Sequence, residues 1–170
     1  MSRIEIDTLG KSFDGKRVLH DISLTLALGR SLALIGPTAA GKTVLLKCLV
    51  GLYAPDRGSI KIDGADAGSA DMRAVTLNDR IGMLFQQNAL FDSLSVWENI
   101  GFRLMARGET RAGARARAEE LLPQVGLPVE TADLFPADLS GGMQKRVGFA
   151  RAIATAPDIL LLDNPTAGLD

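Results

Sequence analysis

The chain has 170 residues, 46% of them hydrophobic and 23% charged, with a formal net charge of −1. This is an ordinary soluble balance, long enough for one domain with a real core, and its charge gives no global pull toward nucleic acid or an anionic surface. A single cysteine, Cys48, excludes an internal disulfide and fits a reducing compartment, and no apolar run approaches the ~20 residues that cross a bilayer.

In chain order, residues 4–6 and 17–26 (RVLHDISLTL) read as strands. The second alternates, with Val18, Ile22, Leu24 and Leu26 apolar between polar neighbours. Asp14-Gly15 between them is a hairpin-type turn. His20, the only histidine, reads as structural or exposed. The first residues (MSRIEID) do not read as a signal peptide. Residues 31–35 (SLALI) read as a short buried strand, and residues 44–50 as a helix that Gly51 stops. Cys48 reads as a small buried apolar residue of that helix. Pro55-Asp56-Arg57-Gly58 predicts a turn, residues 59–62 a strand ending at Asp63-Gly64, and residues 64–71 a surface loop.

Residues 81–85 (IGMLF) predict another short buried strand, ending at Gln86-Gln87. Ser95 with Glu98 is a capping-box pair for a helix to about Ala106. Residues 111–125 predict a second helix, apolar at Leu121, Leu122 and Val125, with Gly126 as its stop. Glu109, Glu119 and Glu120 balance its arginines, so the run reads as a solvated face rather than a nucleic-acid patch. A third helix is expected over about 141–155 and a last strand over 159–162 (ILLL). There is no internal repeat and no low-complexity tract. The order predicts an α/β core with a helical subdomain, at about 88–139, inserted between two of its strands.

Residues 36–43, GPTAAGKT, lie between the strand and the helix and fit the phosphate-binding pattern G-x-x-x-x-G-K-[ST]. Gly36 and Gly41 let the backbone approach a phosphate without a Cβ in the way. The loop N–H groups and the helix dipole point at the anion. Lys42 would neutralise the β- and γ-phosphates, and the Thr43 hydroxyl would be a ligand of Mg²⁺. The ILLL run ends in Asp163, whose carboxylate would face the same ion. In residues 139–146 (LSGGMQKR), Ser140, Gly141 and Gly142 open a helix with free N–H groups and a hydroxyl, a second anion site. One phosphate loop has no use for it, so it would serve another nucleotide.

GPTAAGKT, Gln86, LSGGMQKR, LLLD and the closing PTAGLD, in this order, resemble the nucleotide-binding domain of ATP-binding cassette (ABC) transporters. The resemblance covers about residues 4–170. It implies an α/β fold, a P-loop NTPase core of ABC type with N-terminal antiparallel β strands and an inserted helical subdomain. The chain would be one such domain: 1–87 the β subdomain and phosphate-loop core, 88–139 the helical subdomain, 140–170 the signature helix and Mg-binding strand. Two copies would pair head to tail as a homodimer. ATP bound to Gly36, Pro37, Thr38, Ala39, Ala40, Gly41, Lys42, Thr43 and Val44 of one would be covered by Ser140, Gly141, Gly142 and Gln144 of the other. Phe13 would stack on adenine where the family more often has Tyr. Mg²⁺ would be held by Thr43, Gln86 and Asp163.

The resemblance also implies that Gln86 touches the ion or the attacking water and relays the state to a transmembrane permease. Residues 88–95, Asn88 to Ser95 with Leu90 and Phe91, would form the groove for that subunit's coupling helix. Asp170 would sit in the loop crossing to the partner domain. The chain would be cytoplasmic, peripheral on the inner face of the membrane, with no nucleic-acid partner. GKTVLLKCLVGL and MLFQQNALFDSLSVWENI resemble, more narrowly, the ATPases of Mla-type systems that move phospholipid.

Two departures from the family pattern matter. Where the family has a Glu that polarises the attacking water, this chain has Asn164. An amide accepts no proton, so general-base help of ~10²–10⁴-fold would be lost while ATP and Mg²⁺ binding survive. The sequence also ends before the strand that carries the family's switch histidine. It is therefore expected to be incomplete at the C-terminus, a fragment with a gap in its sheet, unpaired edges and little stability alone. The readings that follow are the motor subunit of a lipid-type transporter, or an ATP-dependent clamp that turns over slowly, or an importer ATPase for another substrate.

Overall fold

The computed structural model describes residues 2–67, 80–86 and 89–165. The chain divides into two compact units, Met1–Asp79 and Arg80–Asp170. Among the described residues no helix is long and apolar enough to cross a membrane.

The first unit is built on an antiparallel sheet. Strand β1 spans Ser2–Phe13, β2 Lys16–Ala27, β3 Arg57–Ile62 and β4 Ala65–Asp66. Their order is β2-β1-β3-β4. Asp14 and Gly15 close the first hairpin with φ of 49° and 77°, the left-handed pair that matches strand twist. β1 is longer than the expected residues 4–6. Polar residues dilute its pattern, but β2 and β3 pair with it on both edges, and two ladders override weak local preference. Ile4, Ile6, Leu9, Leu19, Ile60 and Ile62 are buried on this sheet. Helix α1, Lys42–Leu49, buries Leu45, Leu46, Cys48 and Leu49 and stops at Gly51 with φ of 72°.

Two expectations are corrected here. Residues 31–35 form no strand, and Leu32 and Ile35 are 52% and 95% exposed. An apolar run becomes a strand only when neighbours take up its N–H and C=O groups. The strands of this sheet pair among themselves, so SLALI stays outside the ladder and all of it but the half-buried Leu34 is exposed. The second correction concerns the loop expected at 64–71. Ala65 and Asp66 pair with Ile62 and Lys61, and the Ala67 N–H donates to the Ile60 carbonyl at 2.8 Å. A two-residue strand carries too little pattern to be read. Residues 68–71 of that stretch lie outside the described residues.

The second unit holds two parallel strands, β5 (Ile81–Leu84) and β6 (Ile159–Leu162), in register Ile81↔Ile159 through Leu84↔Leu162. Between them run α2 (Val96–Ala106), α3 (Arg111–Gln124), two short 3₁₀ turns and α4 (Gly141–Ile153). The capping box forms: the Ser95 N–H donates to Glu98 at 3.0 Å. Thr110 caps α3 by accepting from the Gly113 N–H. Val96, Trp97, Ile100, Leu121, Leu122, Val147 and Ala150 form the core of this helical cluster. α2 and α3 approach closely at Gly101, where a Cβ would lie 2.9 Å from that of Ala114. The arginine face of α3 is an ion-pair surface: Arg115 bridges Glu119 and Asp133, Arg117 pairs with Glu120, and Arg111 with Glu98.

Candidate functional site

The phosphate loop leads from the mostly exposed residues 31–35 into α1. Gly41 has φ of 88° and ψ of 5° at the N-cap. A Cβ there would also meet Leu19 Cδ2 at 2.9 Å and the Val18 carbonyl at 3.1 Å. Both conformation and space therefore require glycine. Gly36, Pro37, Thr38, Ala39 and Ala40 are exposed, while Thr43 and Val44 are half-buried. The Ala40 N–H closes a turn onto the Pro37 carbonyl at 3.3 Å. The Lys42 ammonium folds back across the loop and donates to the carbonyls of Gly36 and Pro37, 2.7 Å each. The first N–H groups of α1 have no acceptor within the helix, and its first turn carries no acidic side chain. The loop thus offers donors and positive potential to an anion.

Phe13 ends β1 and is 36% exposed. Its ring meets Tyr53 edge-on with centroids 5.1 Å apart, and the Lys11 ammonium lies 5.3 Å from it. Lys11 is held by Asp56 at 2.7 Å. That bond, with the Ser12 N–H, holds the Asp56 carboxyl below the usual carboxylate range. Tyr53 was not singled out from the sequence; it meets Phe13 only through the sheet and the loop after α1. Cys48 is buried, and burial pushes its thiol up, so it is a poor nucleophile. His20 is exposed.

In the second unit, Gln86, Asp163 and Asn164 follow the C-terminal ends of neighbouring parallel strands. The Asp163 N–H donates to the Leu84 carbonyl at 3.0 Å, carrying the ladder one residue past β6. The ladder ends in register at Leu84↔Leu162, so Gln86 and Asn164 each follow by two residues the last pair of the two strands. Carboxyl ends of parallel strands are where open α/β sheets bind ligands. Asp163 is 5% exposed, whereas Gln86 and Asn164 are exposed. Asn164 has φ of 54°, and its carbonyl accepts from Lys145 Nζ at 2.9 Å.

Ser140 is the N-cap of α4, accepting from the Met143 N–H at 3.2 Å. A hydroxyl that accepts still has its own proton to donate. A Cβ on Gly141 would meet nothing within 4 Å, and Gly142 is half-buried. Gln144 is half-buried, and its amide donates to the Pro136 carbonyl at 2.9 Å, fastening α4 to the turn before it. Leu90 packs on the helical core, and Phe91, 43% exposed, lies 4.7 Å from Phe102. Asn88 and Asp170 lie outside the described residues. Asn99, Lys145 and Arg151 went unread in the sequence. Asn99 is fully buried and bonds the backbone of Phe91, Leu94 and Ser95. Arg151 donates to the Ala89 carbonyl at 2.9 Å.

The ABC transporter family model matches residues 19–167. The chain belongs to this family, as an ATP-binding domain. It is 41% identical over 167 residues to a sulfate/thiosulfate import ATP-binding protein of Synechococcus elongatus, covering 98% of this chain and 47% of that protein. It is 40% identical over 169 residues to a probable ribonucleotide transport ATP-binding protein of Mycobacterium tuberculosis, again 98% and 47%. A probable amino-acid ABC transporter ATP-binding protein of Haemophilus influenzae is 42% identical over 179 residues, with 100% of this chain and 68% of that protein covered. The chain spans about half the length of the first two relatives. Among solved structures, a dimeric ATP-binding cassette in a post-hydrolysis state with ADP and Pi matches with a TM-score of 0.92 at 30% identity. That match covers 98% of this chain and 76% of the other. A dimeric bacterial ABC transporter cassette matches at 0.91 and 31%.

Proposed function

We propose that the chain is the ATP-binding and ATP-hydrolysing part of a subunit that powers an ABC transporter, acting as a head-to-tail homodimer. The phosphate loop carries the reading. Gly41, the first N–H groups of α1 and Lys42 present donors around one exposed turn. Lys42 exchanges its bonds to the Gly36 and Pro37 carbonyls for the β- and γ-phosphates. Phe13 stacks on the base with its half-exposed ring. Ser140, Gly141 and Gly142 donate to the nucleotide held by the partner, and Gln144 keeps that helix start in place through Pro136.

Thr43, Gln86 and Asp163 supply only oxygen donors, the chemistry Mg²⁺ prefers. Phosphate oxygens and water would complete the shell, since Mg²⁺ usually keeps several waters and is bound through few protein oxygens plus substrate phosphates. When bound, the ion neutralises charge on the β- and γ-phosphates. Asn164 orients water by hydrogen bonding without accepting its proton, so turnover is slow. We divide the chain functionally at 1–87, 88–139 and 140–170, with residues 86–95 receiving a transmembrane permease on the inner face of the membrane.

For cargo we favour phospholipid, on the wording GKTVLLKCLVGL and MLFQQNALFDSLSVWENI. The relatives' names specify sulfate or thiosulfate, ribonucleotide and amino acid, so an importer for such a solute is the competing reading. A second reading of the chemistry, a clamp that closes on ATP and rarely hydrolyses it, is favoured by Asn164. Light scattering with and without Mg-ATP, alongside phosphate release, tests both. ATP-driven dimers with measurable release support the motor. Dimers without release support the clamp. A monomer under all conditions sinks both.

A further inference from the structure

Among the described residues the buried charged side chains are Lys145 and Asp163, each 5% exposed. Burying a charge is costly, and an apolar residue of similar volume is often as stabilising or more so. A buried lysine in the middle of a helix is therefore a position where packing alone gives no reason for charge. Lys145 lies five residues after the N-cap Ser140, about 7 Å along the axis of α4. Its ammonium does not reach solvent; it donates to the carbonyl of Asn164 at 2.9 Å. Asn164 has φ of 54°, a left-handed conformation that asparagine tolerates better than most non-glycine residues, and the Lys145 bond holds its carbonyl there. The peptide held in this way directly follows Asp163, just past the C-terminal end of β6. The same helix grips a second left-handed residue: Arg151 donates to the carbonyl of Ala89, whose φ is 47°. One rigid rod thus holds the backbone in both segments that follow β5 and β6.

We propose that Lys145 is a positioning residue, which by holding the Asn164 carbonyl ties the helix start that covers one nucleotide to the residue that orients water at the other. The inference rests on the ATPase reading above, and it assigns to α4 a role beyond its glycine-rich first turn. Movement of α4 when its first turn meets the partner's nucleotide is passed through Lys145 to the Asn164 peptide.

The test is a coupling experiment in the full chain, with turnover measured under saturating Mg-ATP. Asn164→Glu raises turnover at least about tenfold when Lys145 is present. In Lys145→Met, which keeps length and removes the donor, the same substitution raises it less than about threefold, while the KM for ATP stays within about threefold. Lys145→Arg keeps charge and reach and restores the gain. An equal gain in the Lys145 and Met backgrounds overturns the proposal. Should Lys145→Met fail to fold, Lys145→Gln takes its place: a smaller gain than with Arg supports the proposal, and equal gains overturn it. If Asn164→Glu gives no gain in the parent, the turnover reading fails. Deuterium exchange over residues 159–165 then decides the positioning role: faster uptake in Lys145→Met, with residues 96–106 unchanged, supports it, and unchanged uptake overturns it.

Discussion

Replacing Asn99 by alanine takes its side-chain bonds from the Phe91 N–H and the Leu94 carbonyl, while the Phe91 and Ser95 carbonyls keep the Leu94 and Asn99 backbone N–H groups. Asn99 is 0% exposed. Its Oδ1 accepts from the Phe91 N–H at 2.8 Å. Its amide faces the carbonyls of Phe91, Leu94 and Ser95 at 3.1, 3.0 and 3.1 Å. Two amide protons cannot serve three carbonyls fully, so the side chain is worth about three good bonds. At roughly 1 kcal/mol net for each, and with water able to reach part of the exposed segment, the loss is about 2–4 kcal/mol. Asn99→Asp sharpens the test. It keeps the acceptor for Phe91 but turns an oxygen on three carbonyls in a buried site, so it costs about 1 kcal/mol more than alanine. Urea unfolding followed by Trp97 fluorescence reads this unit directly, since Trp97 is the only tryptophan and lies on the same helix. The midpoint should fall at constant slope. An alanine variant within about 1 kcal/mol of the parent, or an aspartate variant no worse than alanine, would refute the reasoning.

Other expectations follow from single contacts. Asn164→Glu restores a proton acceptor and should raise phosphate release at least about tenfold; an unchanged rate contradicts the role given to Asn164. Gly101→Ala adds a Cβ 2.9 Å from that of Ala114 and should destabilise the helical cluster by about 1–3 kcal/mol in the same unfolding assay. Glu98 accepts from the Ser95 N–H and pairs with Arg111, both of which hold its carboxyl below the usual range. A depressed folded value means stability that is present above the unfolded pKa and lost as pH falls through the folded one. The parent should therefore lose more stability than Glu98→Gln as pH falls below about 4.5, and parallel pH profiles would count against the capping role.

The features readable in the sequence are those whose cause is local. Gly41, Lys42 and Thr43 specify their loop within eight residues; Ser95 and Glu98 close their box within one turn; Asp14-Gly15 sets its own hairpin. The family membership rests on such short, ordered segments and was open to reading. What sequence could not give is partnership at long range. SLALI has strand composition, yet a strand is a relation between chains of backbone donors and acceptors, and residues 31–35 lack it. Gln144 donates to the Pro136 carbonyl, eight residues back, a contact no local pattern announces. Asn99 and Lys145 look like ordinary polar helix residues until burial and their carbonyl partners are seen. Tyr53 and Phe13 are far apart in sequence and meet only in three dimensions.

The central claim is that Gly41, Lys42 and the first turn of α1 make a working nucleotide site. Equilibrium binding of Mg-ATP to the chain, beside Lys42→Ala, tests it most directly. The account predicts saturable binding by the parent, lost in the variant because the cation that meets the β- and γ-phosphates is gone. Equal binding by both, or by neither, would contradict it.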